Sequence, residues 1–134
     1  MKGSLSDIRW IDLATFQDQR GCLTAAEVNH EIPFELKRIF LVHNVIQNRG
    51  GHAHRDTEQM LIAASGSLTV RVYDGDLRRE FFLNKPNKAL FIPEMIFVDL
   101  INFSNDGVCL SLASTKYDIE KSIRTIEEFE KEVL

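Results

Sequence analysis

The feature that most constrains the fold is a succession of short β-type segments separated by turn signals. In "SLTVRVYD", residues 67–74, Leu68, Val70 and Val72 fall on one face and the residues between them on the other. The sequence "DGD" at 74–76 predicts a hairpin turn, and "RREFFLN" returns from it. Similar segments are "GCLTAAEV", "KRIFLVHNV", "EQMLIAAS", "KALFIP", "IFVDLINFS" and "GVCLSLAS". Many short strands at close spacing predict an antiparallel sandwich or barrel over about residues 5–115.

The C-terminal segment has a different period. In "DIEKSIRTIEEFEKEVL", apolar side chains recur at helical spacing from Ile119 to Phe129, and Asp118 is a candidate N-terminal cap. The pattern predicts a helix over about residues 118–132 that packs outside the barrel with its charges in solvent. Barrel and helix together are expected to form a single domain, residues 1–134.

Composition excludes several classes of function. A net charge of −4 argues against a protein that binds nucleic-acid backbones, although it leaves room for a small anionic ligand. No segment approaches the roughly 18 apolar residues of a membrane span, and the N-terminus lacks the apolar run of a secretory signal. Cys22 and Cys109 are expected to be reduced and buried. A cytoplasmic enzyme or binding domain is the expectation.

The segment "RGGHAHRDTEQ", residues 49–59, carries the candidate chemistry. Side chains two apart in a strand share a face, so His52 and His54 are expected to point together, and Glu58 has the same parity. If that face is the interior, three ionisable groups line one cavity, as in many small-ligand sites. The alternative is an exposed strand edge with incidental histidines.

The spacing of this segment resembles the first motif of the cupins, which are jelly-roll barrels. Metal-binding cupins add a second motif, P-x-G-x2-H-x3-N, and the matching stretch here is "PEMIFVDLIN", in which Met95 replaces the glycine and Val98 the histidine. A divalent ion would then have only His52, His54 and possibly Glu58, so a two-His-one-carboxylate iron site stays an alternative. The prediction is that no metal or cofactor is bound and that the two imidazoles transfer protons.

A narrower resemblance extends over nearly the whole chain. It is carried in order by "DQRGCLTAAE", "IPFELKRIF", "RGGHAHRDTEQMLIAASGSLTV", "LNKPNKALFIP" and "LASTKYDIEKSIRTIEEF". These segments resemble the nucleotide-sugar 3,4-ketoisomerases, which are WxcM-like or FdtA-like cupins of deoxysugar biosynthesis. The resemblance implies a dTDP-4-keto-6-deoxyhexose substrate, proton removal at C3, an enediol and proton return at C4. It also implies a homodimer whose strands are exchanged or paired across the interface, with no cofactor.

The same resemblance assigns roles to individual residues. His54 matches the base and His52 is its partner, although two adjacent imidazoles can titrate as a pair. Arg38 matches an arginine that reaches substrate phosphate or sugar, the alternative being a surface salt bridge. Arg49 is a second candidate cation for the diphosphate. Glu58 is a candidate for orienting an imidazole, or it is a surface carboxylate.

The chain departs from the family pattern on the wall opposite the histidine pair. A family tyrosine falls at Phe40 or Leu41, the tryptophan and histidine of a W-H-E-M segment fall at Phe97 and Val98, and a further histidine falls at Ile101. Strand parity places His43 on the other face from Arg38. Three alternatives to the isomerase therefore stay open: a sugar-nucleotide-binding cupin without turnover, an epimerase-like variant and a metal-dependent cupin.

Overall fold

The computed structural model describes residues 3–134, which form mostly β-strands. The strands are β1 Arg9–Asp12, β2 Ala14–Asp18, β3 Gly21–Ala25, β4 Arg38–Val42, β5 Arg49–His54, β6 Gln59–Ser65, β7 Leu68–Tyr73, β8 Arg78–Leu83, β9 Lys88–Ile92, β10 Phe97–Ile101, β11 Val108–Ala113 and β12 Ser122–Ile123. A single α-helix among these residues, α1, covers Ile126–Val133, and short 3-10 turns cover Leu5–Asp7 and Ile119–Lys121.

Ten of these strands form two antiparallel five-stranded sheets. The first has the order β1-β9-β6-β11-β4 and the second β12-β5-β10-β7-β8. The main core lies between them, because Leu61 and Leu90 of the first sheet belong to one buried cluster with Val70 and Val98 of the second. The all-β prediction is confirmed, with two facing sheets rather than one closed barrel.

Alternation along β7 produces the burial that the sequence predicts. Leu68, Val70 and Val72 are all fully buried, while Arg71 between them is exposed. The "DGD" turn joins β7 to β8, and the Asp74 carboxylate accepts hydrogen bonds of 2.8 Å from the amides of Asp76 and Leu77. Burial of each such aliphatic side chain is worth about 1.5–3 kcal/mol, so this strand is one of the anchors of the core.

The predicted start of the tail helix at residue 118 is wrong. Asp118 caps the 3-10 turn instead, by accepting a 3.0 Å hydrogen bond from the amide of Glu120. The chain then extends so that β12 pairs with β5, which buries Ile123 completely. The helix begins only at Ile126, where Thr125 is its N-cap. The helical spacing of apolar residues therefore begins before the helix does, because pairing of β12 with β5 outweighs the local helix propensity of this segment.

The helix packs outside the sheets, as predicted. Phe129 is fully buried, with its ring centroid 5.9 Å from that of Tyr73 and 5.6 Å from that of Phe97. The Arg55 side chain donates hydrogen bonds to the Glu132 carboxylate, which attaches α1 to the end of β5. Among residues 3–134, no helix has the length and apolar character needed to cross a membrane.

The β2–β3 hairpin pairs with no other strand among the described residues. Phe16 and Leu23 lie opposite each other on it and are 67% and 61% exposed. Cys22 is also exposed here, so its expected burial is wrong, whereas Cys109 is buried as predicted. The hairpin therefore presents apolar surface that this chain alone does not cover.

Candidate active site

A cavity of about 310 Å³ lies between the two sheets. Strands β4 and β6 supply one wall and β5 and β10 the other. The lining residues are Phe40, Leu41, Val42, His43, Arg49, His52, His54, Gln59, Leu61, Val98 and Leu100. This size, with apolar walls and a few polar groups, suits a small ligand.

Strand β5 presents the histidine pair to the cavity. His52 and His54 both line it, while Ala53 between them is buried against the tail segment, so the shared face that the sequence predicts is confirmed. Backbone pairing fixes both positions, because His52 lies opposite Val98 of β10 and His54 opposite Ser122 of β12. The two imidazoles therefore enter the cavity from one wall on a strand that is paired along both edges.

Both imidazoles are held in the neutral form at neutral pH. The pKa of His54 is lowered from 6.5 to about 4, chiefly because burial disfavours the charged ring, and next because of Arg38 and His52. Burial also lowers the pKa of His52, with Arg124 and Arg49 acting in the same direction. A neutral imidazole has an unshared ring electron pair, so either ring is able to accept a proton from a bound molecule.

Arg38 lies beside His54 rather than on the open surface. Its guanidinium carbon is 5.2 Å from the ring centroid of Phe40 and 5.4 Å from that of Tyr117, and Arg38 and His54 line one small crevice next to the cavity. Its Nε is buried and has no hydrogen-bond partner among the described residues. A buried donor without a partner is rare, and it favours a ligand-binding role over the alternative of a surface salt bridge.

Arg49 and Glu58 have different positions relative to the cavity. Arg49 is exposed at the start of β5 and lines the cavity, as a cation for a bound anion would. Glu58 is not among the lining residues, so the predicted common face with the histidines is wrong. The physical reason is that β5 ends at His54 and the chain bends before Glu58, whose backbone amide donates a 2.9 Å hydrogen bond to the Ser114 hydroxyl.

Two polar residues that line the cavity were not among the predicted site residues. Gln59 is buried at the start of β6 and accepts a 3.4 Å hydrogen bond from the Ser111 hydroxyl. His43 was expected on the opposite face, but it lies one residue beyond the end of β4, where strand parity no longer applies. Its Nδ1 lies 2.5 Å from the Oδ1 of Asn44, a residue with φ of 54°. The asparagine that follows His43 was the available signal in the sequence that the strand ends here, because asparagine adopts the left-handed conformation more readily than most residues.

Comparison with known proteins identifies the family. The sequence model of the family described as "FdtA: WxcM-like, C-terminal" matches residues 6–134. The chain belongs to this family. The TDP-4-oxo-6-deoxy-alpha-D-glucose-3,4-oxoisomerase of Aneurinibacillus thermoaerophilus is 36% identical over 116 residues, covering 85% of this chain and 84% of that protein.

Solved structures of WxcM-like proteins share the fold. A 3,4-ketoisomerase from Helicobacter canadensis is 37% identical, with a TM-score of 0.92 over 95% of this chain and 97% of its own. QdtA, a sugar 3,4-ketoisomerase from Thermoanaerobacterium thermosaccharolyticum solved with TDP, is 30% identical, with a TM-score of 0.93 over 97% and 96%. The cupin jelly roll predicted for this WxcM-like chain is confirmed.

The cavity wall of this WxcM-like chain is apolar where the family pattern is polar. Phe40 and Val98 line the cavity, and neither offers a hydrogen bond. Phe97 and Ile101 are buried instead of lining it, Phe97 under the tail helix. The polar groups that line the cavity are therefore the histidines, Gln59 and Arg49, and Arg38 lies in the adjoining crevice beside His54.

The donor set for a metal ion is small. Among residues 3–134, no three His, Cys, Asp or Glu side chains lie together in an arrangement that could hold a metal. His52 and His54 line the cavity together, and Glu58 does not join them there. What the arrangement provides is a pair of proton acceptors with guanidinium groups nearby.

Proposed function

We propose that this protein interconverts the 4-keto and 3-keto forms of a dTDP-linked 6-deoxyhexose by histidine-mediated proton transfer through an enediol. The observation that carries the proposal is the pair of neutral imidazoles, His52 and His54, inside a cavity of suitable size. The relatives that carry ketoisomerase names cover nearly the same length of chain and support the same reaction.

In the proposed mechanism His54 is the base. It takes the C3 proton, which is acidic because the C4 ketone accepts the electron pair, and an enediolate forms with negative charge on O4. Donors aimed at such an oxygen lower the barrier, and loss of one donor typically costs about 10²–10³ in rate. Arg38, whose Nε has no partner among the described residues, is one donor that the structure offers in the crevice next to His54. The protonated His54 then returns a proton to C4, and the 3-keto sugar results when O3 loses its hydroxyl proton and O4 gains one.

Arg38 and Arg49 are also the candidate cations for substrate binding. A guanidinium presents a planar fork of donors that suits phosphate oxygens. Arg49 stands exposed at the cavity, so we assign it to the diphosphate. Replacement of Arg49 by Gln is expected to raise the KM for the nucleotide sugar more than it lowers kcat. Glu58 is not retained in the substrate-binding set, because it does not line the cavity.

We further propose that the reaction uses no metal and no organic cofactor. The two imidazoles accept and return the proton, and the guanidinium stabilises the charge, so the chemistry needs no Lewis acid. Elemental analysis of protein purified without chelator tests this. A protein that contains less than one-tenth of a metal per chain and turns over normally supports it, whereas loss of activity after chelation with recovery on metal addition contradicts it.

A homodimer is the proposed assembly, built around the β2–β3 hairpin. The hairpin exposes Phe16 and Leu23, and the edge strand β4 exposes Ile39 and Leu41, so both surfaces lack cover within this chain. Phe16→Glu is expected to give monomers by light scattering. Phe82→Glu, which places the same charge at an exposed position on β8, is the control and is expected to leave the dimer intact. We place this dimer in the cytoplasm, since both cysteines are free thiols.

One alternative function has structural support. The apolar side chains of Phe40 and Val98 at the cavity favour a protein that binds the nucleotide sugar without turnover. Calorimetry with dTDP combined with a turnover assay separates the two, because the binding protein would show affinity and no product.

The test of the isomerase is product identification. Purified protein is incubated with dTDP-4-keto-6-deoxyglucose and the mixture is followed by proton NMR. The proposal predicts conversion to the 3-keto sugar, loss of conversion in His54→Asn, and normal conversion in His30→Asn, a matched change at an exposed histidine that pairs with Glu31. Absence of any 3-keto product from the wild-type protein would contradict it.

A further inference from the structure

The reaction proposed above moves two kinds of proton, and the following inference rests on that reaction. One proton leaves C3 and another arrives at C4. In addition, O3 loses its hydroxyl proton as it becomes a ketone, while O4 gains one as it becomes a hydroxyl. The carbon protons travel perpendicular to the plane of the enediol, whereas the oxygen protons lie in that plane. A single base on one wall is therefore poorly placed for both transfers.

Few side chains at the cavity are able to exchange a proton. The polar residues among its lining are His43, Arg49, His52, His54 and Gln59. The guanidinium of Arg49 stays protonated in proteins, and the amide of Gln59 does not titrate. The candidates for the second transfer are thus His52 and His43.

Position separates these two candidates. His52 lies two residues from His54 on the same face of β5 and enters from the same wall. His43 follows β4, which belongs to the other sheet, so it reaches the cavity from a different direction. The contact of its Nδ1 with Asn44 Oδ1, at 2.5 Å, leaves Nε2 as the ring nitrogen for a ligand.

We propose that His43 is a further catalytic residue, which transfers the hydroxyl proton between O3 and O4 while His54 transfers the carbon proton. His54 takes the C3 proton, the C3–H pair forms the C3=C4 bond, and the π pair of the C4 ketone moves to O4. Nε2 of His43 takes the hydroxyl proton of O3 and passes it to O4, so that the negative charge of the enediolate moves from O4 to O3. The electron pair on O3 then forms the C3=O3 bond, and the C3=C4 pair takes the proton back from His54 at C4. Both histidines return to their starting states.

The apolar wall makes this role specific to His43. Phe40, at the centre of β4, lines the cavity with a ring that has no hydroxyl group. Leu41, Val42, Val98 and Leu100 likewise carry no exchangeable proton. Within the described lining, His43 is therefore the group away from β5 that is able to accept a proton and then donate it.

The experiment follows exchange and isomerisation separately in heavy water. With His43→Gln and dTDP-4-keto-6-deoxyglucose, proton NMR reports both deuterium uptake at C3 of the recovered substrate and formation of the 3-keto product. A group acting in general acid–base catalysis contributes about 10²–10⁴-fold. The expected result is C3 exchange within a few-fold of wild type and isomer formation at least about 100-fold slower. His30→Gln, the matched control, is expected to behave as wild type.

Chemical rescue adds a readout that a structural role would not give. His43→Gly is expected to regain isomerisation when imidazole is added, because the residue is exposed at the cavity. Isomerisation by His43→Gln at the wild-type rate, or equal losses of exchange and isomerisation, would overturn the proposal. If wild-type protein shows neither exchange nor product, the proposed function itself fails; a failure confined to the variants concerns His43 alone.

Discussion

The amide nitrogen of Met95 donates a 2.8 Å hydrogen bond to the carbonyl oxygen of His54. This bond attaches the end of β5, where the proposed base lies, to the turn that precedes β10. Met95 holds a left-handed backbone conformation with φ of 60°, at the position where the second cupin motif has glycine. Its side chain is nevertheless buried in the cluster beneath α1. The chain thus combines an unfavourable backbone conformation with a favourable side-chain burial.

This combination predicts an unusual order of stabilities. Met95→Ala and Met95→Gly both lose the buried side chain, at a cost of about 2–5 kcal/mol. The left-handed conformation costs roughly 1–2 kcal/mol for any residue with a Cβ, and glycine is free of that cost. Urea denaturation should therefore show Met95→Gly at least as stable as Met95→Ala. Ile96 is also buried but is not left-handed, so Ile96→Ala should be more stable than Ile96→Gly. If Met95→Ala were likewise more stable than Met95→Gly, the strain assigned to Met95 would be contradicted.

The titration of His54 gives a second test. Since burial and Arg38 lower its pKa to about 4, the ring should stay neutral down to about pH 5 and become charged only below that. Arg38→Met should raise the pKa of His54, although not to 6.5, because burial is the larger cause. NMR titration of the imidazole protons measures both values. A wild-type pKa near 6.5 would show that the ring is solvated.

The same shift makes His54 a source of acid sensitivity. Its pKa is lower in the folded protein than the ordinary 6.5 of an unfolded chain, so the unfolded state binds the proton first. The contribution of neutral His54 to stability is fully present above pH 6.5 and is lost as the pH falls towards 4. Wild-type protein should lose more free energy of unfolding between pH 7 and 4.5 than His54→Asn does. Equal losses in the two proteins would count against the buried neutral ring.

The tail helix should depend on a single side chain. Phe129 is fully buried against Tyr73 and Phe97, so Phe129→Ala is expected to cost about 3–5 kcal/mol. Ile126→Ala, on the same helix but 36% exposed, should cost far less. Denaturant unfolding compares the two variants. Similar costs would mean that the helix is not held to the sheets by Phe129.

The sequence predicted those parts of the fold that depend on local alternation. Val70 and Val72 are buried because a two-residue period places every second side chain on the core face, and β7 follows that rule until Tyr73, which α1 covers on the other face. The tail was predicted less well, since Ile123 fits a helical period and is buried on a strand instead. Its pairing with Ala53, seventy residues earlier, leaves no mark in the local pattern.

The site residues were likewise predictable only where side-chain alternation along a strand determines which way they face. His52 and His54 lie inside one strand, where parity holds, and both reach the cavity. Glu58 and His43 lie just beyond strand ends, where parity fails, so one was wrongly included and the other wrongly excluded. The position of the Arg38 guanidinium near two aromatic rings depends on Tyr117, which only the folded chain brings near.

The most direct test of the central claim is deuterium incorporation by His54→Asn and His52→Asn in heavy water with dTDP-4-keto-6-deoxyglucose. The account predicts that wild-type protein places deuterium at C4 of the 3-keto product. It predicts that His54→Asn loses both carbon exchange and product while still binding dTDP, and that His52→Asn retains measurable exchange. Carbon exchange by His54→Asn at the wild-type rate would contradict the assignment of this imidazole as the base.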